Sequence, residues 1–315
     1  MKSQEMYFSV IVPLYNKAAY IAKTIRSVLS QTHPDFEVLI VNDGSTDNSL
    51  EVVKAITDER ISIISQENKG VSAARNTGIK AAKYDFIALL DGDDWWEETY
   101  LEEMLGLIRE YPDVSFYSSM FAWVYKGKIF PAVKILKNHS KKTTCFDGLE
   151  MGIQWKFLPV HTSAVIIKKD VLQQSGLFDE RITLFEDFDL FIRISIFSKW
   201  AFIEKKPLTY YNVDIPEKQR ITGIPVVLEK HLLYHIDKFE VWYAENPYLP
   251  VFIKVFILSC LYDLRYCPGY QSFKREKLKD IPLGMFSCKQ MMKFYFPVCM
   301  TDAIRKIYLM LKKGH

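Results

Sequence analysis

Between residues 8 and 94, short apolar runs alternate with amphipathic segments, and this repeat restricts the fold more than any other feature of the chain. The segments between the runs place apolar residues on one helical face, as Ile21, Ile25 and Val28 do. Strands separated by such helices predict repeated βα units and a mainly parallel sheet in an α/β fold. The predicted strands cover residues 8–13, 37–41, 60–64 and 86–90.

Polar clusters follow the end of each predicted strand. The second cluster runs from Asn42 to Asp47 and the third covers residues 66–70. The first contains Asn16, which is also a suitable N-cap for the helix that follows. Ligands of open α/β sheets bind beyond the carboxyl ends of the strands, near a change in strand order. The sequence therefore predicts a functional cleft at this edge.

The fourth cluster, from Asp91 to Asp94, brings three carboxylates to the end of a buried strand. Hard divalent cations prefer carboxylate oxygens and often fill their remaining positions with water and substrate phosphates. The cluster therefore suggests a metal-bridged pyrophosphate. An acidic turn that caps a helix beginning near Glu97 is the alternative, since Asp and Gly are ordinary turn residues.

Beyond residue 112 the alternation weakens, with candidate strands at 114–119 and 164–167 and a helix at 188–198. We expect one domain over residues 1–220 and a mostly helical, aromatic-rich extension over 221–315. His231 and His235 lie four apart on a predicted helix, but the glutamate of a zinc protease motif is missing between them.

Composition excludes several classes of protein. A hydrophobic content of 49% argues against disorder, and a net charge of +3 does not require a nucleic-acid partner. Five cysteines without CxxC spacing favour a reducing compartment over a disulfide framework. Without a signal-like apolar N-terminus or a transmembrane-length apolar stretch, we expect a cytoplasmic protein. The basic and aromatic stretch 289–313 suits either a membrane surface or packing on the domain.

The four clusters resemble the motifs of the family 2 glycosyltransferases of GT-A fold, in the same order. They are VPLYN at 12–16, VNDGSTD at 41–47, NKGVSAARN at 68–76 and LDGDD at 90–94. The resemblance covers roughly residues 8–215 and implies inverting transfer of a sugar, usually from a UDP-sugar, to an acceptor hydroxyl. Since the chain lacks QxxRW and transmembrane helices, we expect addition of one sugar rather than polymer extrusion.

The resemblance also implies roles for the nucleotide-binding residues. Asp43 accepts the imide hydrogen of uracil, or else forms an Asx-turn at a helix start. Pro13, Tyr15 and Asn16 shape the base pocket, or serve ordinary packing at the strand end. Arg75 contacts the nucleotide, or makes an ion pair with the aspartate cluster.

For the reacting end of the donor, the family pattern assigns Asp91 to the ribose and Asp93 to a metal, Mn²⁺ or Mg²⁺, on the pyrophosphate. In a second acidic motif we assign the catalytic base to Asp187, with Glu186 as a neighbour that orients or substitutes for it. The alternative is that these acids only complement a helix dipole. Arg220 is a further candidate contact to the pyrophosphate.

We therefore expect a metal-dependent hexosyl- or N-acetylhexosaminyl-transferase. It would act on a glycan or lipid-linked acceptor in surface polysaccharide synthesis, in the cytoplasm or on the inner face of the membrane. A nucleotidyltransferase and a sugar-nucleotide-binding scaffold remain alternatives. A dinucleotide oxidoreductase is disfavoured because no GxGxxG follows a strand.

Overall fold

The computed structural model describes residues 6–132, 143–155, 158, 160–204, 206–216, 227–265, 267–282 and 285. The chain divides into two compact units, residues 1–225 and 226–315. The expected boundary at residue 220, the candidate Arg220 and the stretch 289–313 lie outside the described residues.

Strands and helices alternate in the first unit as the apolar pattern predicts. The strands are β1 (Phe8–Leu14), β2 (Phe36–Asp43), β3 (Ile61–Gln66), β4 (Phe86–Leu89), β5 (Trp95–Trp96), β6 (Phe116–Ser119), β7 (Phe121–Tyr125), β8 (Lys128–Pro131), β9 (Thr143–Phe146), β10 (Val165–Lys168), β11 (Trp200–Ile203) and β12 (Thr209–Asn212). Its α-helices are α1 (Ile21–Leu29), α2 (Ser49–Lys54), α3 (Val71–Ala81), α4 (Tyr100–Glu110), α5 (Gly148–Trp155), α6 (Lys169–Ser175) and α7 (Glu186–Phe197).

The described strands form an eight-stranded and a four-stranded sheet. The larger has the order β3-β2-β1-β4-β10-β6-β11-β9. Strands β1 to β4 are parallel, and β1 and β2 are buried along their whole length, as expected for strands covered on both faces. The chain adds β2 and β3 on one side of β1 and β4 on the other, so the strand order reverses between β1 and β4.

The second half of the larger sheet mixes strand directions, because β10 runs antiparallel to both β4 and β6 and β9 runs antiparallel to β11. The α/β prediction is confirmed, and four of the pairings in this sheet are parallel. The candidate strands at 114–119 and 164–167 correspond to β6 and β10, whereas β9 was not predicted.

Helix α3 lies close to the larger sheet because its residues are small. Ala73, Ala74 and Gly78 are all on its buried side. A methyl group placed on Gly78 would come within 2.4 Å of Cγ2 of Ile11 on β1. The helix can approach β1 and β2 this closely only with glycine at that position.

The smaller sheet has the strand order β5-β12-β7-β8. Its strand β5 directly follows Asp94 of the acidic cluster in the sequence. On one face of this sheet the half-buried ring of Tyr210 stacks on Trp95, with 5.5 Å between ring centroids. Trp96 is buried against Tyr100, with 4.2 Å between ring centroids. Trp95 and Trp96, which directly follow the aspartate cluster, therefore both make aromatic contacts within the fold.

The second unit is helical where it is described. It contains 3₁₀ turns at Leu228–Lys230, Leu232–Trp242 and Leu261–Leu264, and the helices α8 (Leu249–Cys260) and α9 (Tyr270–Leu278). His231 lies buried at the start of the long 3₁₀ segment, where its Nδ1 accepts a hydrogen bond from the Leu233 amide at 3.0 Å. Among the helices described in the two units, none has the length and apolar character needed to cross a bilayer.

Candidate functional site

Hydrogen bonds join the first two polar clusters at the carboxyl edge of the larger sheet. Oδ1 of Asn16 accepts from the Thr46 amide at 2.8 Å, and the Asn16 amide donates to Oγ of Ser45 at 3.2 Å. Asn16 has a left-handed backbone with φ of 51°. The predicted cap is wrong, because α1 begins at Ile21 and Asn16 binds the neighbouring loop instead.

Asp43 closes the loop that leads to α3. Its Oδ1 accepts from the Gln66 side-chain amide at 2.8 Å and from the Lys69 amide at 2.9 Å, while its Oδ2 accepts from the Gly70 amide at 2.8 Å. An ionised carboxylate offers about four acceptor positions, so these bonds leave about one further position.

Tyr15 and Pro13 differ in what they present to a ligand. Tyr15 is 46% exposed at the end of β1, whereas Pro13 is buried within the strand. The carbonyl oxygen of Pro13 lies 3.0 Å from the position of a methyl group built on Gly92. The loop after β4 therefore passes directly over the end of β1.

Arg75 ties the fourth cluster to the second acidic motif. Its Nη2 donates to Oδ1 of Asp91 at 2.7 Å and its Nη1 donates to Oε1 of Glu186 at 2.9 Å, with the arginine side chain almost wholly buried. Burial alone would raise the pKa of Asp91, but the charges of Arg75, His161 and Lys17 hold that pKa below its usual value. Of the two interpretations of Arg75, the structure contains the ion pair.

Lys17 lies in the loop after β1, and its side chain reaches the aspartate cluster. This contact was not predicted from the sequence. The Nζ of Lys17 lies 2.5 Å from Oδ2 of Asp93, and both side chains are mostly buried. Burial raises the pKa of the Asp93 carboxyl, against the charge of Lys17. No sequence pattern singled out this lysine, since it lies 76 residues from its partner.

Asp94 is bound into the fold on both of its oxygens. Oδ2 accepts from Oγ of Ser163 at 2.5 Å and Oδ1 accepts from the Asn212 amide at 2.9 Å. Ser163 also accepts from the Asp91 amide at 3.1 Å, and its carbonyl accepts from the indole N–H of Trp96 at 2.6 Å. Burial, followed by the charges of Asp93 and Asp91, raises the pKa of Asp94 well above its usual value.

The aspartate cluster has the donor atoms that a divalent cation requires. Ligand atoms of Asp91, Asp94 and His161 lie within 4.8 Å of one another. Asp94 is fully buried with both oxygens bonded, so it is the poorest ligand of this group. Asp91 and Asp93 each use one oxygen in an ion pair and keep the second oxygen outside it. Asp93, the predicted metal ligand, is not one of the three residues within 4.8 Å, but the carboxylates of Asp91 and Asp93 are the type of oxygen ligand that a hard cation prefers.

Glu186 and Asp187 open helix α7, which follows Phe185 in a left-handed conformation with φ of 64°. Glu186 is buried beside Arg75, and burial, followed by the charge of Asp187, raises its pKa to about 7. Asp187 is only half-buried. Its Oδ2 accepts from the hydroxyl of Thr162 at 3.1 Å and its Oδ1 from the Phe188 amide at 2.8 Å.

His161 packs beside this motif, directly before the short turn that leads into β10. Its ring lies 4.3 Å from Tyr211 and 5.3 Å from Phe121, and its Nδ1 accepts from the Ser163 amide at 3.2 Å. Burial lowers the pKa of His161, against the charges of Asp91 and Asp187.

Sequence comparison relates the chain to sugar-transferring enzymes. The model of Glycosyl transferase family 2 matches residues 9–172. Glycosyltransferase GlyA of Streptococcus pneumoniae is 38% identical over 146 residues, which cover 41% of this chain and 21% of GlyA. The uncharacterized glycosyltransferase alr2836 of Nostoc sp. is 43% identical over 172 residues, which cover 54% of this chain and 53% of alr2836. The chain thus spans a fifth to about half of these relatives.

Solved structures share the fold at low sequence identity. S. aureus TarS 1–349 in complex with UDP-GlcNAc matches with a TM-score of 0.67 and 20% identity, over 92% of this chain and 79% of that chain. The complex of TarS 1–349 with UDP matches with a TM-score of 0.62 and 20% identity, over 89% of this chain and 76% of that chain.

Proposed function

The chain belongs to glycosyl transferase family 2 and has the GT-A fold, and from this premise we propose that it moves one sugar from a UDP-sugar to a hydroxyl of a glycan or lipid-linked acceptor. The observation that carries the proposal is the buried Arg75, which holds the donor-side Asp91 and the helix-opening Glu186 together. In this proposal the nucleotide site and the base site are neighbours at one edge of the larger sheet.

For the donor, we assign the uracil imide to the remaining acceptor position on Asp43 and a stacking face to the exposed ring of Tyr15. Pro13 and Asn16 shape the pocket around the base, and Asp91 meets the ribose. The TarS complexes with UDP and UDP-GlcNAc support a uridine donor, because those ligands are bound by the same fold. Arg75, which pairs with Asp91 and Glu186, lies beside the ribose position and is assigned as a further contact to the nucleotide.

For the reaction, we assign the general base to Asp187. Glu186 is the weaker candidate because its carboxylate is already paired with Arg75, whereas Asp187 is half-exposed and held by the Thr162 hydroxyl. As Asp187 takes the proton of the acceptor hydroxyl, the acceptor oxygen bonds to the anomeric carbon. The bond from that carbon to the diphosphate oxygen breaks, and its electron pair leaves with UDP. Attack opposite the leaving group inverts the anomeric configuration.

We assign the divalent cation, Mn²⁺ or Mg²⁺, to Asp93, with Asp91 beside it. When bound, the cation neutralises charge on the leaving diphosphate. Lys17 neutralises Asp93 in the structure described above, so it competes with a cation for that carboxylate or adds a second positive charge near the phosphates. Calorimetry of Mn²⁺ binding to wild type and to Asp93→Ala tests the assignment without measuring turnover.

The test of the function is UDP release from a panel of UDP-sugars, with Mn²⁺ or with EDTA. We expect one donor class to be hydrolysed slowly, and we expect Asp187→Asn to lower the acceptor-dependent rate by about 10²- to 10⁴-fold while UDP still binds. The matched control is Asp113→Asn, an exposed carboxylate outside the site, which should keep the wild-type rate. UDP binding without turnover for any donor would instead favour a scaffold.

The basic and aromatic stretch 289–313 bears on the acceptor and on the location of the enzyme. We propose a cytoplasmic enzyme that meets a lipid-linked precursor of a surface polysaccharide at the membrane, because residues 289–313 mix aromatic and basic side chains. Co-sedimentation with anionic vesicles tests this. Equal co-sedimentation of the full chain and of a chain without residues 289–315 would contradict it.

A further inference from the structure

One face of the smaller sheet carries a row of aromatic side chains that the reaction described above does not use. In the register of the sheet, Tyr211 on β12 pairs with Trp123 on β7, and Trp123 pairs with Phe130 on β8. Paired residues in neighbouring strands point to the same face. Tyr211, Trp123 and Phe130 therefore form one line across three strands, called the aromatic row below.

The aromatic row becomes more exposed with distance from the site. Phe121, which lies two residues before Trp123 and on the same face, is 6% exposed, whereas Trp123 is 41% and Phe130 is 46% exposed. Tyr211 is half-buried. Three strands spaced about 4.8 Å apart give the row a length of roughly 10 Å. Burying these rings would remove a large apolar area from water.

The inner end of the aromatic row touches the proposed base site. The Tyr211 ring lies 4.3 Å from the ring of His161, and the next residue, Thr162, donates the hydrogen bond that holds Asp187. His161 and Thr162 therefore link the inner end of the row to Asp187. This continuity separates the row from exposed aromatic residues elsewhere on the chain.

The chemistry of the row suits a sugar better than an aliphatic partner. The face of an aromatic ring carries negative charge density, and the C–H groups on one side of a pyranose ring carry partial positive charge. Tyrosine hydroxyl and tryptophan indole groups can also meet the hydroxyl edges of such a ring. At the outer end, Lys128 lies opposite Tyr125, which adds polar contacts at the rim.

We propose that the aromatic row binds the pyranose rings of the acceptor glycan that adjoin the sugar being modified, and that it aligns the attacking hydroxyl with Asp187. This inference rests on the proposed function and specifies its acceptor as a carbohydrate at least two sugars long. It makes Trp123 a positioning residue for the acceptor.

The test titrates the full chain, in the presence of UDP, with cellotetraose, chitotetraose and maltotetraose, followed by saturation-transfer NMR and calorimetry. We expect wild type to bind at least one of these probes and Trp123→Ala to weaken that binding by about tenfold or more. Trp123→Phe should retain most of the affinity because the ring face remains. Phe197→Ala, a similarly exposed aromatic residue at the end of α7, is the matched control and should bind like wild type.

The outcomes separate this inference from the proposed function. If UDP-sugar hydrolysis persists but none of the probes binds, or if Trp123→Ala binds them like wild type, the aromatic row is not an acceptor site and the enzyme assignment stands. If Trp123→Ala abolishes a concentration-dependent dimer in sedimentation without changing probe binding, the row is an interface between two copies. If wild type neither binds UDP nor hydrolyses any donor, the proposed function itself fails.

Discussion

At the scale of single residues, Arg75 is a buried charge with two carboxylate partners. It pairs with Asp91 and Glu186, so Arg75→Met leaves two carboxylates without their common partner. Removing one member of a buried ion pair costs about 3–5 kcal/mol. We expect the free energy of unfolding, measured in urea, to fall by about this amount.

The control for that change is Arg181→Met. Arg181 also pairs with an aspartate, Asp179 at 2.8 Å, but its side chain is 69% exposed. An exposed pair contributes about 0–1 kcal/mol. Equal losses in the two variants would show that Arg75 contributes no more than a surface arginine.

Asp43 offers a test of base recognition that does not depend on catalysis. If its carboxylate accepts the imide hydrogen of uracil, Asp43→Asn replaces a charged acceptor with an amide that can also donate to N3 of cytosine. We expect UDP affinity to fall about tenfold and CDP affinity to fall less, so that the UDP/CDP ratio narrows in calorimetry. If the affinities for UDP and CDP fell by the same factor, the role of Asp43 would be limited to holding the loop through the Lys69 and Gly70 amides.

At the scale of the elements, the packing of α3 on the larger sheet is tested by adding one methyl group. Gly78→Ala would place that methyl 2.4 Å from Ile11 and 3.3 Å from Val41, and such overpacking costs about 1–3 kcal/mol. We expect a corresponding drop in the urea midpoint.

The same glycine-to-alanine substitution on another helix should change the free energy of unfolding in the opposite direction. Gly106 is exposed on α4, and a methyl group there meets no atom within 4 Å. Since alanine favours a helix over glycine by about 0.5–1 kcal/mol, Gly106→Ala should raise the free energy of unfolding. A loss of stability in Gly106→Ala would show that helix propensity does not dominate at that position.

At the scale of the whole molecule, the buried His231 makes stability depend on pH. Burial lowers its pKa to about 4, whereas an unfolded histidine titrates near 6.5. Between these values the unfolded chain binds the proton and the folded chain does not, so stability falls as pH drops from about 6.5 to 4. The loss from this residue reaches about 3 kcal/mol and stops growing below pH 4.

Calorimetric unfolding midpoints at pH 7.5 and pH 4.5 measure this effect. We expect His231→Asn to narrow the difference between the two midpoints, since asparagine keeps an acceptor for the Leu233 amide and does not titrate. His235→Asn is the control, because His235 is only half-buried. An unchanged difference in His231→Asn would contradict a buried neutral histidine.

Sequence alone predicted the fold class and the parallel half of the larger sheet, because β1, β2 and β4 are short apolar runs followed by polar clusters. It did not predict the ion pair of Lys17 with Asp93. Local sequence periodicity does not specify the strand register or the loop path that brings these two residues together. The roles assigned to Asp43, Asp93 and Asp187 stay predictions. The smaller sheet was not predicted, because β5 is only two residues long and β8 does not alternate apolar with polar residues.

The hydrogen bond between Arg75 and Glu186 can form only late in synthesis, since the two residues lie 111 positions apart in the chain. At translation speeds of about 5–20 residues per second, Arg75 leaves the ribosome roughly 5–20 s before its partner. The side-chain amide of Asn76 likewise has no acceptor until the carbonyl of Phe178 is made, 102 residues later. A nascent chain ending before residue 186 therefore contains Arg75 and its partner Asp91 but not Glu186, and Arg75 gains its second carboxylate only in a late step of synthesis.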